Sequence, residues 1–171
     1  MDIRNPNQVE TYSGIWVFDI EGDNLYHGIT VVHCLWLICP VTGYALGFRP
    51  DEVKDAFIFL EKAKLLIAHN GIGFDIPAIR KLFPMLGKVN ILDTLILASM
   101  LQPNRLKQSL DSWGADLGEA KGAFGKTANW SEFTEEMYDY CYQDVVVTVK
   151  LILTLCKMAG IDVQDLPVYT M

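Results

Sequence analysis

Apolar runs bounded by turn-forming residues divide the first half of the chain. Five of these runs predict β-strands, at residues 14–20, 30–38, 44–48, 65–68 and 89–92. The first run is apolar at almost every position, which is typical of a strand that is buried on both faces of a sheet. The pattern therefore predicts a β-sheet at the centre of the protein.

Apolar positions with helical spacing separate these strands and follow them. They predict helices at residues 51–63, 75–83, 93–101, 106–116 and 134–158. Asp51 and Thr134 are suitable N-caps for the first and the last of these helices. The order is three strands, helix, strand, helix, strand and then helices. This order predicts an α/β sandwich around a mixed sheet that begins with a hairpin or meander.

The 171 residues suffice for one domain with a full hydrophobic core. Residues 1–13 are polar and aperiodic, which predicts a flexible amino-terminal arm before a domain at 14–160 and a carboxyl-terminal tail at 161–171. No export signal is recognisable, and the apolar region 29–48 is interrupted by polar and turn residues. We therefore expect a cytoplasmic protein without a membrane span.

The net charge of −7 argues against a protein that coats long nucleic acids through a basic surface. It does not exclude an enzyme that grips a few nucleotides, because bound cations would offset acidic ligands. Four cysteines lie in apolar segments and are expected to be reduced core thiols. A zinc site built from His27, His33, Cys34 and Cys39 is an alternative, although its spacing fits no standard pattern.

Asp19 and Glu21 lie at the carboxyl end of the first predicted strand. Residues two apart on a strand share a face, so both carboxylates project to the same side of the sheet. Two like charges there are unfavourable unless a cation neutralises them or their pKa values rise. The alternative is a solvated strand end.

Asp75 follows a junction with two glycines and precedes Ile76 and Pro77. Asp is a favoured N-cap, and Pro is accepted in the first turn of a helix. Taken alone, Asp75 is therefore explained by helix capping, although one carboxylate can both cap a helix and bind a ligand.

Tyr140 and Asp144 are four residues apart on the last predicted helix and share one face. An ordinary surface pair is the alternative, but the helix continues as a nearly all-apolar segment, where a solitary Asp is unusual. The four acids Asp19, Glu21, Asp75 and Asp144 carry the charge that two divalent cations would balance. Oxygen ligands suit Mg²⁺ or Mn²⁺, and two such ions can hydrolyse a phosphodiester.

These residues resemble the motifs of the DEDD exonucleases of the ribonuclease H-like superfamily. The D-x-E motif matches Asp19 and Glu21, the second motif matches Asn70 to Asp75, and Y-x-x-x-D matches Tyr140 to Asp144. Asp139 stands where the histidine subgroup has its histidine, so the resemblance is to the tyrosine subgroup. It implies a ribonuclease H-like fold with about five strands, one of them antiparallel, flanked by helices.

A closer similarity is to the proofreading exonuclease domain of phage-type family A DNA polymerases. It covers about residues 14–156 and includes segments around Leu92–Leu95 and Trp113–Gly122. The family implies that Asp19 bridges two metal ions, that Glu21 and Asp144 complete the first metal site, and that Asp75 holds the second.

The same resemblance assigns further positions to catalysis and to the substrate. Tyr140 would orient the attacking water, Leu25 would wedge against the terminal bases, and Asn70 and Phe74 would lie near the terminal nucleotide. For Leu25 and Phe74 the alternative is core packing. Lys121 either contacts a phosphate or is a solvated loop residue.

The predicted function is a metal-dependent 3′→5′ exonuclease that removes nucleotides from a single-stranded 3′ end. DNA is the expected substrate, alone or beside a separate polymerase, and the host cytoplasm is the expected place if a phage encodes the protein. An exoribonuclease is the alternative enzyme, because the motifs do not read the 2′-hydroxyl. A catalytically silent interaction module is the alternative of another class.

Overall fold

A five-stranded mixed β-sheet forms the centre of the protein. The computed structural model describes residues 14–119, 125 and 129–168. Residues 1–13, the predicted arm, lie outside this range. The strands are β1 (Ile15–Gly22), β2 (Val32–Ile38), β3 (Ala45–Phe48), β4 (Leu65–Ala68) and β5 (Ile91–Asp93).

The sheet has the strand order β3-β2-β1-β4-β5. Strand β2 is antiparallel to both β1 and β3, whereas β4 is parallel to both β1 and β5. The prediction of a mixed sheet with one antiparallel strand is therefore confirmed. Strands β1, β4 and β5 run in one direction, so their carboxyl ends meet at the same edge of the sheet, where ligands bind in many α/β proteins.

Helices cover both faces of the sheet. They are α1 (Phe57–Lys62), α2 (Asp75–Leu82), α3 (Thr94–Leu101), α4 (Leu110–Asp116) and α5 (Glu135–Ala159), with 3₁₀ turns at Val53–Ala56 and Val163–Asp165. Even-numbered side chains of β1 such as Trp16 and Phe18 join the core beneath α1 and α2. Odd-numbered ones such as Ile15 and Val17 join the core beneath α5. The prediction that this strand is buried on both faces of the sheet is thus confirmed.

Two predicted helices begin later than expected. The N-cap assigned to Asp51 is wrong, because Glu52 instead accepts a hydrogen bond from the Arg49 amide at 3.1 Å and closes a turn. A 3₁₀ turn then precedes α1. The helix predicted at 106–116 starts only at Leu110, because the Ser109 hydroxyl accepts from the Ser112 amide and caps it there.

The longest helix, α5, has the ends that the sequence predicts. The Thr134 hydroxyl accepts from the Met137 amide at 3.1 Å, and Gly160 ends the helix in the left-handed conformation. Among the described helices, none combines the length and hydropathy needed to cross a bilayer. All four cysteines are buried free thiols, as expected.

Candidate active site

Asp19 and Glu21 project from β1 toward α5. They share the face of Ile15 and Val17, and their partners on β2 are Trp36 and Cys34. Both acids are half-buried, whereas the strand before them is buried. The sequence prediction that the two carboxylates lie on one side of the sheet therefore agrees with their placement.

Helix α5 packs on β1 and contacts Asp19 through Cys141. Tyr140 and Cys141 are adjacent on it, and Asp144 follows one turn later, 7% exposed. The Cys141 thiol donates to the Asp19 backbone oxygen at 3.5 Å and approaches its Oδ2 atom at 3.7 Å. Burial raises the pKa of the Cys141 thiol well above its ordinary value, which keeps this donor protonated.

Asp19, Glu21 and Cys141 form a compact group of donor atoms. One side-chain oxygen or sulfur atom from each lies within 4.8 Å of the other two. In the part of the chain that the structure describes, this is the one group of three that is spaced to hold a metal ion. Two carboxylates in this arrangement suit a hard divalent cation. Cys141 had no role in the sequence prediction, although it lies inside the Tyr140–Asp144 motif.

Asp75 reaches the same edge of the sheet from the other layer. It is the first residue of α2, follows β4 and is 2% exposed. Its Oδ1 atom accepts a hydrogen bond from the Ile20 amide of β1 at 3.2 Å. The capping explanation is wrong, because the N-cap position belongs to Phe74 and carries no side-chain cap. The carboxylate instead binds the backbone of β1 at Ile20, the residue between Asp19 and Glu21.

Burial raises the pKa of the Asp75 carboxyl to about 7, against the opposing effect of the hydrogen bond from Ile20. The negative charges of Asp93 and Asp144 raise it further. A carboxylate that is costly to ionise beside other carboxylates is stabilised when a cation joins the group. The electrostatics therefore fit a metal site that includes Asp75 and Asp144.

Asp93 positions the loop that carries Asp75. From the end of β5, its carboxylate accepts from the amides of Asn70 at 2.9 Å and Ile72 at 3.1 Å, and from Leu95 at 2.9 Å. Asn70 turns this loop with a φ of 65° and is itself exposed. From the sequence, Asp93 is recognisable only as part of the similar segment Leu92–Leu95, because nothing local shows where its carboxylate points.

A cavity of about 370 Å³ opens beside Glu21. Leu25, Phe74 and Trp130 form its apolar lining, and Asp23 and Glu21 lie on its polar side. Leu25 is 78% exposed, so core packing does not explain this residue. Phe74, in contrast, also packs partly on the core beneath α2.

Not every predicted residue lies at this cavity. Asn70 is not among the described residues that line it, so its substrate role stays a prediction. Trp130 lines it but was missed, because it lies in an irregular segment without periodicity. Lys121 lies outside the described residues. The zinc alternative is not supported in the described residues, where His33 Nε2 instead lies 3.0 Å from the Trp130 carbonyl oxygen.

The loop that carries Leu25 is held in place at both ends. Asp23 accepts from the Thr30 hydroxyl and amide and from the Val31 amide. The ammonium group of Lys81, on α2, donates to the carbonyl oxygens of Tyr26 and His27, each at 2.9 Å. The exposed Leu25 side chain is therefore presented by an ordered loop.

Comparisons with known proteins agree with this architecture. No family model matches the chain. The DNA-directed DNA polymerases of Escherichia phage T7 and Enterobacteria phage T3 are 29% and 30% identical to it over 181 aligned positions. The match covers 80% of this chain. It covers only 26% of the length of each polymerase.

Three solved structures share the fold over about nine-tenths of the chain. Brucella melitensis NrnC has a TM-score of 0.68 at 17% identity, covering 89% of this chain and 77% of that one. The EXO domain of Aedes aegypti Nibbler has a TM-score of 0.70 at 14% identity, covering 90% and 84%. Escherichia coli RNase D, an exoribonuclease involved in structured RNA processing, has 0.61 at 15% identity, covering 91% and 42%.

The chain has a ribonuclease H-like fold. The resemblance that the motifs indicate and the fold class they imply are thereby confirmed. In this ribonuclease H-like arrangement, the first strand and the last long helix meet across the edge where the parallel strands end. That edge gathers Asp19, Glu21, Asp75 and Asp144.

Proposed function

We propose that the protein is a metal-dependent 3′→5′ exonuclease that hydrolyses the last phosphodiester of a nucleic acid strand. The observation that carries this proposal is the meeting of Asp19 and Glu21 with Cys141 within 4.8 Å, beside the buried carboxylates of Asp75 and Asp144. The similarity to phage polymerases and the shared fold with exonucleases support the same reaction.

The donor set suits two divalent cations, Mg²⁺ or Mn²⁺. Asp19 would contact both ions, Glu21 and Asp144 would hold the first, and Asp75 the second. Bound ions of this kind lower the pKa of a water and stabilise the departing oxygen of a phosphodiester. The raised pKa of Asp75 supports the proposal, because a cation favours the ionised carboxylate there. A solved structure of the similar protein NrnC contains Mg²⁺.

The remaining residues position the substrate. Tyr140 lies on the same helical face as Asp144 and orients the attacking water. Leu25 and Phe74 contact the terminal bases from the cavity lining, and Asn70 binds near the terminal nucleotide. A strand end, rather than a long duplex, suits a site of 370 Å³ in a chain with a net charge of −7.

DNA is the proposed substrate, because the similar sequences are DNA polymerases. A separate polymerase is the corresponding proposed partner. The proposed location of the protein is the cytoplasm. RNA is the second candidate substrate, because RNase D is an exoribonuclease and a solved structure of NrnC has pGG bound. The geometry does not favour a silent interaction module, because uncompensated carboxylates are costly to bury beside a core.

The test uses 5′-labelled single-stranded DNA, the matched RNA and a mismatched duplex, each with Mg²⁺, Mn²⁺ or EDTA. We expect a ladder of products shortened from the 3′ end, only when a divalent ion is present. Asp19→Asn should lower the rate by more than about 100-fold, because the change removes the negative charge of a proposed metal ligand rather than of a group that only supports one.

Asp139→Asn is the matched control. Asp139 lies on the exposed side of α5, one residue before Tyr140, so the same loss of charge should leave the rate within about twofold. Undiminished activity of Asp19→Asn, or cuts inside the strand, would contradict the proposal. A stronger ladder on RNA than on DNA would reassign the substrate and leave the reaction in place.

A further inference from the structure

Trp130 lies outside all three motifs yet lines the cavity beside the acidic site. It belongs to the irregular segment that precedes α5 and is half-buried. Leu25 and Phe74 are the other two large apolar side chains in the lining. The cavity therefore has three such walls, one from each of three separate segments of the chain.

Two contacts fix the Trp130 side chain and backbone. The His33 ring, 5% exposed on β2, lies with its Nε2 atom 3.0 Å from the Trp130 carbonyl oxygen. The indole ring meets the Tyr140 ring edge-on, with centroids 6.1 Å apart and an interplanar angle of 73°. Trp130 is thus tied to the sheet through its backbone and to α5 through its ring. The Trp130 side chain is therefore preorganised, and it loses little rotamer freedom when a ligand binds.

The lining indicates the chemistry of the occupant. Among the described residues that line the cavity, none is Lys or Arg, and the charged ones are Glu21 and Asp23. A phosphate would be repelled there, whereas an uncharged planar ring would contact the indole and the two other apolar side chains. Aromatic side chains stack on nucleobases without regard to sequence, because every base has a π-face.

We propose that Trp130 binds the 3′-terminal nucleobase by stacking, and so determines how firmly the strand end is held before cleavage. The inference rests on the proposed exonuclease function and adds a substrate-binding residue to it. The terminal base occupies the cavity, and the phosphodiester on its 5′ side lies outside the cavity at the acidic site, where bound cations would offset the negative charges. Trp130 is thereby a binding residue for strand ends of any base sequence.

The test measures binding rather than cleavage. Two 5′-fluorescein-labelled single-stranded DNA pentamers are compared by anisotropy in EDTA, one with a normal 3′-terminal base and one with an abasic 3′-terminal nucleotide. The wild-type protein should bind the normal strand about tenfold more tightly, which is the usual effect of one stacked base. Trp130→Ala should remove this difference by weakening the normal strand alone.

Two further variants keep the test decisive. Trp130→Phe should retain most of the preference, because a benzene ring still stacks, whereas Trp130→Leu should lose most of it while keeping apolar volume. Circular dichroism and thermal melting establish that each variant is folded. If Trp130→Ala is unfolded, the proposal is tested by comparing the Phe and Leu variants: it requires that Trp130→Phe keep more of the preference for the normal strand than Trp130→Leu does.

Equal binding of both strands by the wild-type protein would overturn the proposal. Equal weakening of both strands by Trp130→Ala would also overturn it, because a structural defect does not depend on the terminal base. Degradation of the normal strand by the wild-type protein with Mg²⁺ or Mn²⁺ is measured separately. A protein that prefers the base-bearing end but never cleaves it would refute the proposed catalysis and leave the stacking role standing.

Discussion

The four acids of the site differ in how much water they retain. Asp19 and Glu21 are half-buried, whereas Asp75 is 2% and Asp144 7% exposed. Burial costs an ionised carboxylate its hydration, and the neighbouring negative charges add to that cost. For Asp75, burial and the charges of Asp93 and Asp144 raise the pKa to about 7.

This residue makes the metal-free protein sensitive to pH. The pKa of Asp75 is about 7 in the folded protein and about 4 in an unfolded chain. Between these values the folded state binds more protons, so the free energy of unfolding should fall as the pH rises from about 4 through 7. Thermal melting in EDTA should show this fall in the wild-type protein.

In Asp75→Asn the fall should be much smaller, and this variant should be the more stable one at pH 8 in EDTA. Added Mg²⁺ or Mn²⁺ should raise the melting temperature of the wild-type protein at that pH, because the ions bind the folded state. A melting temperature that depends on pH equally in both proteins would show that Asp75 is not the responsible group.

Single residues differ in how well local sequence predicts them. Asp19 and Glu21 were predictable because strand alternation alone puts them on one side. Tyr140 and Asp144 followed from helical spacing. The role of Asp75 was not separable from capping, because its hydrogen bond joins residues 55 apart in sequence. Trp130 was missed because its contact with His33 spans 97 residues.

Among the structural elements, the loop between β1 and β2 carries Leu25, which is proposed to contact the terminal bases. Lys81 anchors it from α2 through the carbonyl oxygens of Tyr26 and His27, and its ammonium group lies 5.5 Å from the Tyr26 ring. The exposed Leu25 is presented by this loop. A basic residue of one element thus orders the loop that carries a proposed substrate-binding residue.

Lys81→Met should loosen this loop without touching the acids. The KM for single-stranded DNA should rise about fivefold, because the loosened loop must then be ordered when DNA binds, at a cost of roughly 1 kcal/mol. The kcat should stay within about twofold. Steady-state kinetics on a labelled oligonucleotide measure both constants.

Lys88→Met is the matched control, since Lys88 is equally exposed and loses the same charge. A similar rise of KM in this control would indicate a general electrostatic effect instead of loop ordering. A loss of kcat in Lys81→Met would indicate that the loop contributes to the chemical step.

At the level of elements, the type and order of strands and long helices were predictable, and the starts of short helices were not. Strand β1 and helix α5 have strong periodicity and clear caps. Helix α4 depends on Ser109, and the preceding segment is arranged by Arg105, which pairs with Asp116 at 2.6 Å. Such side-chain pairs override the weak propensity of a short segment.

For the whole molecule, the acidic charge sets the kind of substrate contact. With a net charge of −7, the protein has little capacity to bind long nucleic acid electrostatically. For the proposed exonuclease, affinity should therefore come from the terminal nucleotides and from bound cations. This charge is consistent with the proposed binding of strand ends.

Binding should accordingly depend weakly on ionic strength. If the protein neutralises about two phosphates, the dissociation constant for a single strand should rise less than about tenfold between roughly 50 and 200 mM salt. Anisotropy titrations with a labelled pentamer and with a 30-mer measure this slope. A much steeper slope, or one that grows with strand length, would reveal an extended basic track.

The hydrogen bond from Cys141 to Asp19 joins residues 122 positions apart in the chain. During synthesis on the ribosome, β1 emerges well before α5. Contacts of such long sequence separation form slowly and require both partners. A nascent chain that stops short of α5 therefore holds its first two acids without their partners. The proposed metal site therefore cannot assemble before α5 has been synthesised.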